Sequence, residues 1–234
     1  MFDIGNKLME LDKADFQQTA QELKPGKSEQ VNIPVLFASQ APMANWDLPY
    51  QEACEESALI LAAKYFAKEN LTPEIMDQEI QKLVEWEKQQ FGLYSDTTLS
   101  EVKIMADEYF GLQSEITQNI TIENIKNQLD QGYLILMPMA GRELGNPYYT
   151  QPGPIYHFLL IRGYTEKQFI TNDVGTRRGE GFKYDYSVII NANHDLSVKT
   201  SGEIYRPYDE QDEDEIKQAK MLEGGKNMLI IKGQ

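Results

Sequence analysis

Three side chains in this sequence have the types and the order of a nucleophile, its base and the acid that orients the base. Cys54, in "QEACEES", is the only cysteine among 234 residues. A helix is expected over residues 49 to 68, with Pro49 in its first turn and Ala58, Leu61, Ala62, Tyr65 and Phe66 on one apolar face. Cys54 then falls in the first turn or two, where unpaired backbone N–H groups favour negative charge. A thiolate is the reactive form of cysteine, and a thiol at a helix start beside an imidazolium is expected to titrate below its usual value of about 8.5. Position alone does not separate this reading from a small buried core residue.

Of the two histidines, His157 opens the apolar run "HFLLIRGY", at the border of core and surface, whereas His194 in "NANHDL" has polar neighbours. "HFLLIRGY" and "QFITND" are separated by a tight turn near residues 165–167. Antiparallel pairing then brings Asp173 within a couple of residues of His157 across the ladder. An acid so placed fixes the imidazole tautomer and stabilises the imidazolium. "NDVG" is also ordinary turn chemistry, so the acid gains meaning only together with Cys54 and His157.

The elements that must position these groups follow from local signals. Residues 6–23 have helical spacing and "KPGKSEQ" breaks it, so residues 1–30 are expected to be a helical appendage and linker. "VNIPVLFAS" is strand-like. Thr72-Pro73 opens a helix through about Phe91, Thr98 and Gly111 bracket another, and Thr121 and Gly132 a third. The runs "YLILMPM", "HFLLIRGY", "QFITND" and "FKYDYSVII" then read as strands. Helices first and strands afterwards, joined by connections too short for crossover helices, give an α+β domain with an antiparallel sheet. The main domain is expected over residues 31–206. Residues 207–234, containing "YDEQDEDE", are expected to form an acidic, solvated C-terminal segment.

Composition narrows the function classes. One cysteine makes no internal disulfide, and no CxxC or Cys/His cluster is present, so neither a metal nor another cofactor is expected. A formal charge of −15, from 22 basic and 37 acidic residues, repels phosphate backbones and anionic lipid, so nucleic acid is not an expected partner. No apolar run approaches the roughly 20 residues needed to cross a bilayer.

The stretches "VNIPVLFASQAP", "CEES", "GPIYHFLLIRGY" and "FITND" together resemble the papain-like cysteine peptidases of the bacteriocin-processing (C-39-like) family, in its stand-alone bacterial branch. The resemblance covers about residues 31–193. It implies a papain-like fold, Cys54 as nucleophile, His157 as general base and acid, Asp173 as orienter, and Gln40 as side-chain donor of the oxyanion hole. Ala53 stands where the family has glycine, and Val174 where it has proline. Gln40 lies 14 residues before Cys54, further than the family pattern, and Gln51, one helical turn before the cysteine, competes for the donor role.

The loops "GRELGNPYYTQPGP" and "GTRRGEGFKYDY" flank the catalytic strands and are expected to wall a cleft. In them Tyr148, Tyr149 and Tyr156 could stack on a peptide, and Arg177 with Arg178 could hold a carboxylate. Loop packing and solvated arginines explain the same residues. The expected function is hydrolysis of a peptide or protein substrate through a Cys-His-Asp triad and a thioester. The alternatives are a catalytically silent peptide-binding module, or another thiol amidase or transpeptidase on the same fold.

Overall fold

The computed structural model describes residues 30–92, 94–196 and 212–233. The expected helix at 6–23 and its linker fall outside the described residues, apart from residue 30.

The described chain enters through a two-residue strand, β1 (Val31–Asn32), and a 3-10 turn (Tyr50–Glu52). Four helices follow, interrupted by one strand: α1 (Cys54–Ala67), α2 (Pro73–Phe91), α3 (Leu99–Ile104), β2 (Gln113–Thr117) and α4 (Ile122–Asp130). Then come β3 (Leu134–Ala140), β4 (Tyr156–Tyr164), β5 (Gln168–Asn172), β6 (Glu180–Asp185), α5 (Tyr186–Ala192), α6 (Asp214–Met221) and β7 (Met228–Gly233). All pairings are antiparallel and the order is β2-β7-β3-β4-β5-β6, with β1 added to β4. This is the expected α+β class.

The helix starts sit where their caps are. Thr72 accepts from Ile75 N at 3.3 Å with Pro73 at the first position, and Thr121 accepts from Asn124 N at 3.2 Å. Thr98 and Glu101 form a reciprocal capping box at the start of α3, so two otherwise unpaired N–H groups are satisfied. Helix α3 continues into a π turn at Met105–Tyr109 before the expected stop at Gly111.

Helix α1 is buried on all sides over its first ten residues, from Cys54 to Ala63. One side lies on β4 and the others meet α2 and α3. Leu59, Ile60 and Leu61 are fully or almost fully buried, each worth about 1.5–3 kcal/mol relative to exposure. The position of Cys54 is therefore set by a helix locked into the core. Strands β3 and β4 are buried along their whole length, the pattern of central strands covered on both faces.

Two expectations are corrected. The described part of the expected C-terminal segment, residues 212–233, does not stand apart from the main domain: Leu229–Ile231 pair with β3, and Met228–Gly233 pair with β2, so β7 is an interior strand of the sheet. The apolar "MLIIKG" needs that cover, since Met228 to Ile231 are buried. The run "FKYDYSVII" is strand only to Asp185, after which Tyr186–Ala192 turn into α5 and pack over β3 and the 3-10 turn Gly141–Leu144. "VNIPVLFAS" pairs as a strand only at β1, although Ile33 N still donates to Arg162 O at 2.9 Å. Among the described residues no helix is long and apolar enough to cross a membrane.

Candidate active site

Cys54 is the first residue of α1, directly after the 3-10 turn. His157 is the second residue of β4, paired with Met139 of β3. The β4–β5 hairpin closes through Thr165 N to Gln168 O at 2.8 Å, and Leu160 pairs with Asn172, so Asp173 emerges just past the ladder. There its Oδ1 lies 2.9 Å from His157 Nε2. Bonding through Nε2 leaves Nδ1 as the other ring nitrogen available for proton transfer.

Asp173 is fully buried and heavily hydrogen-bonded. Its Oδ2 accepts from Tyr184 OH at 2.6 Å, Tyr149 OH at 2.7 Å and Asn146 Nδ2 at 2.9 Å, and its Oδ1 accepts from Gly175 N at 3.1 Å. Burial alone would push this carboxyl up. The charge of His157 and the bonds from His157, Tyr184 and Tyr149 outweigh it and hold Asp173 below the usual aspartate value. The acid is thus kept as an anion facing the imidazole.

Two glycines are required by close approach. A Cβ on Gly175 would stand 2.8 Å from His157 Cε1, and one on Gly179 would stand 1.7 Å from Asp173 O. The glycine-rich character of the 175–181 loop therefore comes from wrapping the His157–Asp173 pair.

Cys54 differs from expectation in its electrostatics. Its thiol donates to Glu55 Oε2 at 2.9 Å, and Glu55 Oε1 accepts from Thr97 N at 2.7 Å. Burial, then the charge and hydrogen bond of Glu55, push the thiol well above its ordinary value, so the depressed pKa expected from the helix start does not hold. The helix N-terminus is outweighed because the first two residues after the cysteine are both buried acids, Glu55 and Glu56.

Gln40 is buried and joins the two halves of the site. Its backbone N–H donates to Val174 O at 2.9 Å, while its side-chain Nε2 donates to Tyr50 O at 2.9 Å and Gln51 O at 3.0 Å, in the turn that precedes Cys54. Gln51 is exposed. Both glutamines line a cleft of about 1100 Å³ that also opens on Cys54 and His157.

Tyr148, Tyr149, Tyr156, Arg177 and Arg178 line the same cleft. Tyr148 is 45% exposed, and the Arg178 guanidinium lies 4.9 Å from its ring centre. Tyr149 and Tyr156 are buried, and their hydroxyls are engaged away from solvent. Tyr149 bonds Asp173, and Tyr156 OH lies 2.9 Å from Asp195 Oδ1 and 3.0 Å from Thr97 O. Arg177 and Arg178 are exposed. His194, the histidine set aside, has Nδ1 2.8 Å from Gly224 O and is not among the residues lining the cleft.

Sequence reasoning missed Glu55, Asn146 and Tyr184. A glutamate immediately after Cys54, at the start of a helix whose next turns, Ala58 to Ala63, are apolar on every side, was the available signal for the first. Trp46 and Leu48 contribute exposed apolar surface to the same cleft. Among the described residues no group of three His, Cys, Asp or Glu side chains is placed to hold a metal ion.

A crystal structure of a Bacillus anthracis chain described as a C39-like peptidase superposes with a TM-score of 0.51 at 13% identity, covering 88% of this chain and 99% of that one. At that identity the likeness is one of fold. No curated protein matches the chain. The model of the Peptidase_C39 like family matches residues 32–201, from β1 to beyond α5 and including α1 and the His157–Asp173 hairpin. On that match the chain belongs to the Peptidase_C39 like family.

Proposed function

We propose that this chain hydrolyses a peptide bond with Cys54 as nucleophile, His157 as base and acid, and Asp173 as orienter. The observation that carries the reading is the 2.9 Å His157–Asp173 pair, buried at the wall of the cleft on which Cys54 opens. Nδ1 of His157 takes the thiol proton and the sulfur attacks the scissile carbonyl carbon. The resulting oxyanion is met by the backbone N–H of Cys54 and by one amide hydrogen of Gln40, released from the Tyr50 or Gln51 carbonyl. His157 then gives its proton to the leaving amine as the C–N bond breaks. Water, deprotonated by the same imidazole, cleaves the thioester and returns the thiol. Asp173 remains ionised throughout, stabilising the imidazolium.

The substrate is a peptide or protein segment lying in this cleft, whose lining includes Trp46, Leu48, Tyr148, Arg177 and Arg178. Arg177 and Arg178 are assigned to a substrate carboxylate, Arg178 while stacked on Tyr148. Tyr149 and Tyr156 are assigned to the cleft wall through their ring edges, their hydroxyls being committed elsewhere. A second reading, a peptide-binding module without turnover, draws on the bond that the Cys54 thiol makes to Glu55.

The test is cleavage of a peptide library by the purified chain and by Cys54→Ala, His157→Ala and His194→Ala. Loss of a triad member is expected to lower turnover by about 10³-fold or more, and His194→Ala to leave it within severalfold. Cleavage that survives Cys54→Ala, or equal losses in the two histidine variants, sinks the assignment. Binding of a library peptide without cleavage selects the second reading.

A further inference from the structure

The carboxyl that touches the nucleophile is used by no step above. Glu55 is fully buried, its Oε1 is fixed by Thr97 N at 2.7 Å, and its Oε2 lies 2.9 Å from Cys54 Sγ. We infer that Cys54 and Glu55 hold one proton between them, so that Glu55 acts as a brake on the nucleophile, keeping the sulfur protonated at rest and releasing it when the carboxyl itself is protonated. The inference rests on the reading of Cys54 as the nucleophile.

Sulfur and carboxyl can share one proton in two arrangements, a thiol donating to a carboxylate or a carboxylic acid donating to a thiolate. Removing that proton leaves two negative charges 2.9 Å apart in a site with little water, which is strongly unfavourable. The surroundings sharpen this. Facing Glu55 are Glu56 on its own helix, Glu87 from α2, Tyr94 and Asp96 from the segment before α3, and Tyr156 from β4, with Asp195 behind it. These groups are acids and phenols, and their fields oppose a second negative charge. Burial and then Glu56 and Asp96 raise the Glu55 carboxyl well above the usual glutamate value, so the pair gives up its first proton at a higher pH than a free glutamate would and keeps the second between sulfur and carboxyl.

The consequence concerns when His157 can arm the sulfur. With Glu55 ionised, transfer of the thiol proton to His157 creates a thiolate against a carboxylate. With Glu55 protonated, the same transfer creates a thiolate that receives an O–H bond. The thiolate is therefore easier to form in the state in which Glu55 carries its proton than in the state in which it is ionised.

The experiment is the rate of alkylation by iodoacetamide against pH, a neutral probe of the single cysteine, in the wild-type chain and in Glu55→Gln. Glutamine keeps an acceptor for Thr97 N, keeps the volume and places an N–H against the sulfur. The wild-type midpoint is expected above the ordinary thiol value of about 8.5. In Glu55→Gln it is expected to fall by about one pH unit or more, with alkylation at pH 7 about tenfold faster or more. Burial of the sulfur is unchanged by the substitution, so the midpoint separates charge from access. Glu55→Asp, which keeps an acid but withdraws it by one methylene, should fall between the two and serves if the glutamine variant does not fold. A wild-type midpoint at or below the ordinary value overturns the inference, as does an unchanged or higher midpoint in the variants. Thiol titration needs no turnover, so a chain that cleaves nothing still reports on Glu55, and a chain that cleaves normally with no midpoint shift rejects the brake alone.

Discussion

Glu56 of α1 and Glu87 of α2 face each other, both fully buried. Their four carboxyl oxygens have no partner on another residue apart from the opposing carboxyl, and two carboxyls bond only with a proton between them. Burial raises Glu87 despite the bond from Glu56, and the charges of Glu55 and Glu101 add to it, so that it is pushed up to about 7 from 4.5. A group whose folded value is raised stabilises the fold fully below its unfolded value and loses that contribution as pH rises through the folded one. At about 1.36 kcal/mol per pH unit, Glu87 alone makes the fold about 3 kcal/mol less stable at pH 8 than at pH 4.5. Glu55, Glu56 and Asp195 are raised and act with the same sign. Asp173 is depressed, so its contribution is lost only as pH falls below the ordinary aspartate range, outside this window. Glu87→Gln should remove the Glu87 share, leaving stability near wild type at pH 4.5 and about 3 kcal/mol higher at pH 8. For a domain of this size that is a rise in Tm of about 6–12 °C at the higher pH. Thermal unfolding followed by circular dichroism at both pH values reads it directly. A wild-type Tm that is flat or rises between pH 4.5 and 8, or a variant that follows the wild type in parallel, refutes the shared-proton account of this pair.

The donors around the site make two further predictions. Gln40→Ala should lower single-turnover acylation by about a hundredfold or more, equivalent to about 2.7–4 kcal/mol, whereas Gln51→Ala should change it less than tenfold; the reverse ranking moves the oxyanion role to Gln51. Tyr184→Phe removes one of the hydroxyls that hold Asp173 as an anion. A hydrogen bond to a charged group is worth about 1.5–3 kcal/mol, so the Asp173 carboxyl should titrate about one to two pH units higher and the acid-denaturation midpoint should move up with it. An acid midpoint that stays in place would mean that Tyr149, Asn146 and Gly175 suffice.

What was legible in the sequence was local. Thr72-Pro73, Thr98 and Thr121 mark helix starts because a cap satisfies N–H groups two or three residues away, and all three are caps in the structure. The His157–Asp173 pair was legible for the same reason, since a tight hairpin fixes register over a few residues. β7 was not, because "MLIIKG" is six residues behind an acidic run and becomes an interior strand only through β2 and β3, which lie far away in the chain. "YSVII" has strand-forming residue types, yet the cover available at that point is the surface of β3 and the Gly141–Leu144 turn, which a short helix fits.

The donors to Asp173 were hidden by distance, Tyr184 being 11 residues away and Asn146 27, each brought in by a separate element. Glu55 was hidden by a different cause. A formal charge of −15 counts every acid as ionised and exposed, and "CEES" then reads as a polar helix start. Once α1 is closed in by β4, α2 and α3, Glu55 and Glu56 lose their water, and the favourable order of their charges reverses. Acids in the first turn of an exposed helix would complement its dipole. Buried beside the only thiol, they are pushed above the usual glutamate range instead, and Glu55 takes the Cys54 thiol as a hydrogen-bond donor.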